Sequence, residues 1–402
     1  MQNTAQATNE RPPFWRDERI LAIISQVIVV AIVVGALFYF YNNMVNALKE
    51  QMGVAIDFGF LKQTAGFDIG ESLIEYSRSE TYARAFMVGL LNTLQVAFLG
   101  IIFTTILGII IGVMRLSTNW LVSRIALVYI ELFRNIPLLV LLIFWAQAVF
   151  FKLPRVKEAV ILFNPYFPIF LSNRGIAAPW GIPSETWATF LLFLVGGLIL
   201  AIIVAVLLVR HGRKTGRMPF VSLWFVVTWL AVAVFGWFFL SMTNQQPLTM
   251  TKPALEGLNT KGGRIFSQQF MALLSGLVLY TAAFVAEVVR AGIQSVGKGQ
   301  KEAATALGLS GFQTLRLIVF PQALRVIIPP LTSQYLNLTK NSSLAIAIGY
   351  PDLFAVAGNT ILNQTGRAIE VFTLVMGVYL AFSLLTSLLM NIYNRRIQLV
   401  ER

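Results

Sequence analysis

The chain has 402 residues, of which 57% are hydrophobic and 12% charged, about half the roughly 25% charge of an ordinary soluble domain. So little charge cannot cover a water-soluble protein of this length, which excludes a soluble enzyme, a disordered chain and a fibrous repeat and leaves a multi-spanning membrane protein. Cysteine is absent and histidine occurs once, so disulfides, thiolate sites and His-cluster metal sites are excluded too, and the net charge of +13 takes its meaning from where it sits.

A helix that crosses about 30 Å of hydrocarbon needs roughly 20 apolar residues. Eight runs qualify, which predicts an all-α integral membrane protein. The first, 20–41, follows a long leader of mixed charge and runs into Tyr41-Asn42-Asn43 rather than a small-residue cleavage site. It therefore reads as a retained span and not as a signal peptide. The second, 87–114, carries Thr104, Gly108 and Gly112, a stripe of small residues suited to close helix packing. The third, 125–151, has Glu131 and Arg134 at one end. The fourth and fifth, 187–209 and 220–241, are nearly charge-free and flank a turn with Arg210, His211, Arg213, Lys214 and Arg217. His211 in that basic turn reads as solvated. The sixth is 267–289. The seventh, 321–348, contains Lys340 and Pro329-Pro330, and the prolines predict a kink because they free backbone carbonyls. The eighth, 370–393, begins at Glu370.

Lysine and arginine near span ends set orientation. With the N-terminus inside, the short inside segments are dense in these residues, as in 210–217, while the outside loops are long and sparser. Both termini are expected on the cytoplasmic side. The basic excess is then a topology signal, and no basic patch with interleaved aromatics points to nucleic acid. Three parts are expected. Residues 1–86 hold a cytoplasmic segment, the first span and an outer loop; 87–393 form the membrane domain; 394–402 are a cytoplasmic tail.

The inside stretch 290–321 is the most patterned. Residues 298–307 suit a short helix, and Gly308 sits where a helix end wants positive φ. Ser310 with Gln313 fits a capping box for a second helix, and Pro321 ends the loop at the membrane. The expected product is a helix–turn–helix standing out of the bilayer, with small Ala303 and Ala304 exposed for close approach by a partner. In the same place Gly292 to Gly299 nearly spells a phosphate-binding loop, but Gly299 stands where Ser or Thr would meet Mg²⁺, and a membrane helix precedes it rather than a strand. Nucleotide is expected on another subunit.

Glu302-Ala303-Ala304, Gly308, Ile318, Phe320 and Pro321 match, residue for residue in spacing, the hallmark loop of the permease subunits of bacterial ABC importers, which the chain resembles. In that family the loop is the helix that docks on the ATPase. The runs YTAAFVAEVVRAGIQSVGKGQ (280–300), PQALRVIIPP (321–330), KNSSLA (340–345), NTLQVAFLG (92–100) and ELFRNIPLLVLL (131–142) resemble permeases for polar amino acids. Two places depart from the usual pattern: Asn135-Ile136-Pro137 stands for Gly-Thr-Pro, and Asn341-Ser342-Ser343 for Asp-Thr-Ser. The resemblance covers about 87–151 and 267–393, five spans, and leaves 152–266 as an insertion with two extra spans. That enlarged layout resembles the larger permease of the general L-amino-acid importers, which pair two dissimilar permeases. The resemblance implies a bacterial inner membrane location and a type-I importer fold. It implies partners too: ABC ATPase subunits that carry ATP and Mg²⁺, a second permease, a periplasmic amino-acid-binding protein, an amino-acid substrate and lipid. It implies no cofactor on this chain and no catalysis by it.

Charges inside spans are candidates for function. Glu287 and Arg290 are spaced i, i+3, as are Glu131 and Arg134. Each pair reads either as a helix-end ion pair that snorkels to the interface or as part of a cytoplasmic gate. Lys340 lies about 28 Å of helix beyond Pro321. It either snorkels to the outer surface or lines the substrate path, with Asn337, Asn341 and Ser342 supplying hydrogen bonds beside it. Two rivals remain from the residues alone: an ATP-independent secondary amino-acid transporter, which would show a repeated half, and a membrane-bound enzyme, which would need a catalytic constellation that His211 does not supply.

Overall fold

The computed structural model describes residues 18–52, 56–163, 165–216, 220–242, 246–257 and 259–397. The leader charges Arg11 and Arg16, together with Arg217 and Arg402, lie outside them. Helix α1 (Glu18–Met52) is apolar along its middle and exposed there. The segment 56–81 is packed rather than trailing: Phe60, Ala65 and Tyr82 form a core with Leu353, Ala357, Ile361 and Val371. Thr81 then caps α2 (Tyr82–Arg115) by accepting a hydrogen bond from the Arg84 amide.

Asn119 caps α3 (Trp120–Asn135) through the amides of Leu121 and Val122. The expected third span, 125–151, is broken in the middle. The chain bends by 104° before α4 (Leu138–Phe144), which continues as a π-helical turn through Phe150. The cause is Pro137. It offers no amide to the preceding turn, and it pushes Ile136 out of helical geometry to φ −90, ψ 128.

The stretch 152–266 holds strands that its three- to four-residue lengths hid from any periodicity. They are β1 (Val160–Leu162), β2 (Ile169–Ser172), β3 (Gly175–Ala178) and β4 (Trp180–Pro183) before the helices α5 (Trp187–Thr215) and α6 (Val221–Met242). After them come β5 (Leu248–Thr251), β6 (Ala254–Glu256), β7 (Asn259–Lys261) and β8 (Arg264–Ser267). Strands β1, β2, β3 and β8 make an antiparallel sheet, in which Gly175 faces Ser267 and Ala178 faces Arg264. The two halves of the insertion are thus stitched together. Helices α5 and α6 pack on each other, with the Trp229 indole donating to the Leu194 carbonyl.

Ser267 caps α7 (Gln268–Gln294), the most buried of the long apolar helices. Leu273, Leu277, Ala282, Ala283, Val285 and Ala286 are fully enclosed. The small-residue stripe of α2 packs here as expected: a Cβ at Gly108 would lie 2.4 Å from Val285, and one at Gly112 2.7 Å from the Ala286 carbonyl. Helix α8 (Lys298–Ala306) and the short α9 (Gly311–Thr314) follow, then a π-helical turn Leu315–Val319. Helix α10 (Phe320–Asn341) runs through Pro329 and Pro330 and passes into a 3-10 stretch, Ser342–Ile348, so the seventh span is α-helical only to Asn341. A π-helical turn Phe354–Ile361, α11 (Leu362–Thr365) and α12 (Ala368–Ile397) complete the chain. Among the described residues, seven helices are long and apolar enough to cross a membrane, or eight if the bent α3–α4 pair is one span. The architecture is a helical membrane bundle in which α2, α7 and α10 form the centre.

Candidate functional site

The loop between α7 and α10 folds as its residues dictate. Gly308 has φ +77, a region that side chains with a Cβ rarely adopt. The Leu309 amide bonds to the Ala304 carbonyl and the Gly308 amide to the Thr305 carbonyl, so α8 ends in a Schellman turn. The capping box forms as well: the Gln313 amide donates to Ser310 Oγ, and the Ser310 amide to Gln313 Oε1. Two short helices, too short to persist alone, are thereby finished at both sides of one turn.

The surface of the loop differs from expectation in one residue. Glu302, Ala303 and Gly308 are exposed, but Ala304 is 2% exposed because α8 packs that face on the π-helical turn. Ile318 is half-buried beside buried Val319, and Pro321 is exposed in the first turn of α10. The sequence reading missed two apolar residues at the tip: Leu307 is 81% exposed and Phe312 70%. Their signal was present as large apolar side chains next to a glycine turn, outside any span.

Just inside this end, the two i, i+3 pairs behave differently. Arg290 donates to Glu287 from Nε at 2.9 Å and also from Nη2, and it contacts Gln294. Glu131 and Arg134 do not pair. Glu131 accepts from Asn135, while the Arg134 guanidinium lies over Phe284, one turn before Glu287. Aromatic stacking takes Arg134 across to α7, so three of the four residues meet at one α3–α7 contact.

The far end of α10 corrects the cluster expected around Lys340. Lys340 and Asn337 are exposed and Asn341 is half-buried, and among the described residues Lys340 makes no ion pair. Ser342 is fully buried and donates to the Thr339 carbonyl, so it does not accompany Lys340. As the first residue of the 3-10 stretch it turns back on its own helix.

Beyond it lies a polar cluster that sequence reasoning did not assemble. Asn92 of α2, fully buried, donates to the carbonyls of Glu71 at 2.8 Å and Pro351 at 2.9 Å. Thr93 accepts from the Leu353 amide at 2.9 Å. The Glu71 carboxylate accepts from the Ser267 amide. Burial pushes the Glu71 pKa up, against the Ser267 hydrogen bonds and the charge of Arg264. Asp352 is fully enclosed; it caps the following turn through the Ala355 amide and accepts from the Tyr379 hydroxyl at 3.3 Å. Burial raises its pKa to about 6, against those hydrogen bonds. At the surface, Asp68 is held below its usual range by its hydrogen bond and ion pair with Arg78. A cavity of about 370 Å³ opens between segment 67–71 and the stretch 346–360. No group of histidines and acids among the described residues could hold a metal ion.

Residues 104–399 match the family described as the binding-protein-dependent transport system inner membrane component. The chain belongs to that family. Near-full-length relatives bear it out. The chain is 46% identical over 391 residues, 96% of itself and 94% of the relative, to the general L-amino acid transport system permease protein AapQ of Rhizobium johnstonii. It is 44% identical, with 95% of each chain covered, to the putative amino-acid ABC transporter permease protein YhdX of Escherichia coli. To the glutamate/glutamine/aspartate/asparagine transport system permease protein BztB of Rhodobacter capsulatus it is 40% identical, with 96% of each covered. These relatives align over 95–96% of this chain, so the alignments run through the α5–α6 insertion.

Proposed function

We propose that this chain is one of two dissimilar permease subunits of an ATP-driven importer of L-amino acids in the bacterial inner membrane. The near-full-length similarity to amino-acid permeases carries the reading. The 298–321 loop is the ATPase-docking element. Its central turn is capped on both sides, its small Ala303 allows close approach, and Leu307 and Phe312 offer apolar anchors that suit a desolvated groove. One such loop engages one ATPase subunit, so a second permease completes the pair. ATP and Mg²⁺ sit on the ATPases.

The loop faces the cytoplasm, as do both termini. Closure of the ATPase pair pushes on α8, which follows α7 after three residues and leads to α10 through the Gly308 turn, α9 and the π-helical turn. Those two helices pack together in the core, so the push reaches the far end as a rocking of the bundle. The Glu287–Arg290 pair with Arg134 stands at the inner mouth as a gate. Lys340, Asn337 and Asn341 line the path near the outer mouth, where a periplasmic binding protein delivers substrate.

The test is reconstitution. The chain, its partner permease and its ATPase in liposomes should import labelled L-amino acids only with ATP and the binding protein present. Import by the lone chain, driven by an ion gradient, would overturn the reading.

A further inference from the structure

We propose that the cavity walled by Glu71 and Tyr350, at the end remote from the 298–321 loop, binds the primary ammonium group of an amino-acid-sized solute. The inference rests on the amino-acid import reading and adds a site to it. The cavity, about 370 Å³, is lined by Asp68, Glu71, Ser267, Gln269, Tyr350 and Asn359 among others. Three enclosed polar atoms of the surrounding cluster lack a hydrogen-bond partner: Glu71 Oε1, the Tyr350 hydroxyl and Asn92 Oδ1. The three side chains belong together, since Asn92 grips the backbone of Glu71 and of Pro351, next to Tyr350. Tyr350 and Asn92 are fully buried, and buried polar atoms are seldom left unpaired.

All three atoms can accept a hydrogen bond. The Tyr350 hydroxyl is also the cluster's one unpaired donor, so one donor stands against three unpaired acceptor atoms. Asp68, the other acid on the wall, is already neutralised by Arg78. Among the described residues Glu71 has no ion-pair partner. Arg264, whose charge reaches Glu71, is held over the rings of Trp180 and Phe266 instead. A primary ammonium group supplies a positive charge and N–H donors to Glu71 and Tyr350, the two of these three side chains that line the cavity. Water brings two donors and no charge. Glu71 is only half-buried and lines the cavity, so rotation of its side chain presents the free oxygen to an entering solute.

The absence of cysteine makes a clean test. Asn359→Cys places one thiol of this chain on the exposed cavity wall. In the reconstituted permease–ATPase complex without binding protein, labelling of that thiol by a methanethiosulfonate reagent is timed. L-glutamine should slow it; N-acetyl-L-glutamine, which has no ammonium group, should not. Glu71→Gln should raise the half-protecting concentration at least tenfold, and Tyr350→Phe severalfold. If Glu71→Gln fails to assemble, Tyr350→Phe carries the test. Equal protection by the N-acetyl compound, protection by sodium chloride alone, or protection unchanged in the variants would each overturn the site. A wild-type complex that imports L-amino acids but shows no protection at position 359 would overturn this site alone, whereas absent import would count against the functional reading itself.

Discussion

The two ends of α10 are built on opposite terms. At the 298–321 end a Schellman turn closes α8 and a capping box opens α9, while Leu307 and Phe312 stand in solvent. At the other end Tyr350, Leu353 and Asp352 are fully enclosed, while Glu71 Oε1, Asn92 Oδ1 and the Tyr350 hydroxyl have no hydrogen-bond partner. One end lacks apolar cover and the other lacks polar partners. A protein surface calls for the first and a polar solute for the second, so the two proposals, docking and solute binding, concern opposite ends.

The largest effect should come from the turn. Gly308→Asp puts a side chain at φ +77, at a cost of about 1–2 kcal/mol in the left-handed region, and a carboxylate at the docking surface. Uptake of labelled amino acid should fall to background while the protein level in membranes, read by immunoblot, stays within twofold. Normal uptake would end the coupling role. Next, Leu307→Asp should weaken co-purification of the ATPase by roughly tenfold, as truncation of an interface anchor does, with the bundle's thermal stability unchanged because Leu307 touches solvent. Unchanged ATPase capture would erase the contrast at that end.

At the far end, Lys340→Met should lower uptake a few-fold with assembly intact; full uptake would mean that this exposed lysine only snorkels. The last prediction concerns Asp352 and is read in stability rather than in transport. Its folded pKa of about 6 lies above the ordinary 3.8, so the folded state disfavours its charge. Stability should therefore fall as pH rises from about 4 to about 6 and level off above, by up to about 3 kcal/mol for that shift. In detergent, the melting temperature between pH 4 and 7 should show this slope, and Asp352→Asn, which can still cap the turn, should flatten it. Tyr379 is the side chain that donates to Asp352, and the wild-type slope persisting in Asp352→Asn would assign it to another group.

How much of this was legible follows from distance along the chain. The 298–321 loop was readable because each of its signals acts within a few residues: Gly308 on its own helix, Ser310 on Gln313. Spans were readable because length and hydropathy are local sums. The bend at Ile136–Pro137 was not drawn, although the proline was in view, because apolar runs on both sides hid a break with no change in composition. Ala304 looked exposed beside Glu302 and faces inward because a π-helical turn, invisible to a 3.6-residue period, lies beneath it. The far cluster was beyond reach: Glu71, Asn92 and Tyr350 meet only through tertiary packing, and none carries a motif of its own.

The pairing of α5 with α6 has a consequence for how the molecule is made. That hairpin can settle as soon as its own second helix emerges, since its contacts are with itself. Helix α2 meets the following α3 only lightly, and most of its contacts are with α7. The surface that receives Gly108 and Gly112 belongs to α7, roughly 150 residues later, on the order of ten seconds of synthesis. During that interval the closest seam of the finished bundle is open, and its two glycine notches face lipid or a chaperone rather than Val285 and Ala286.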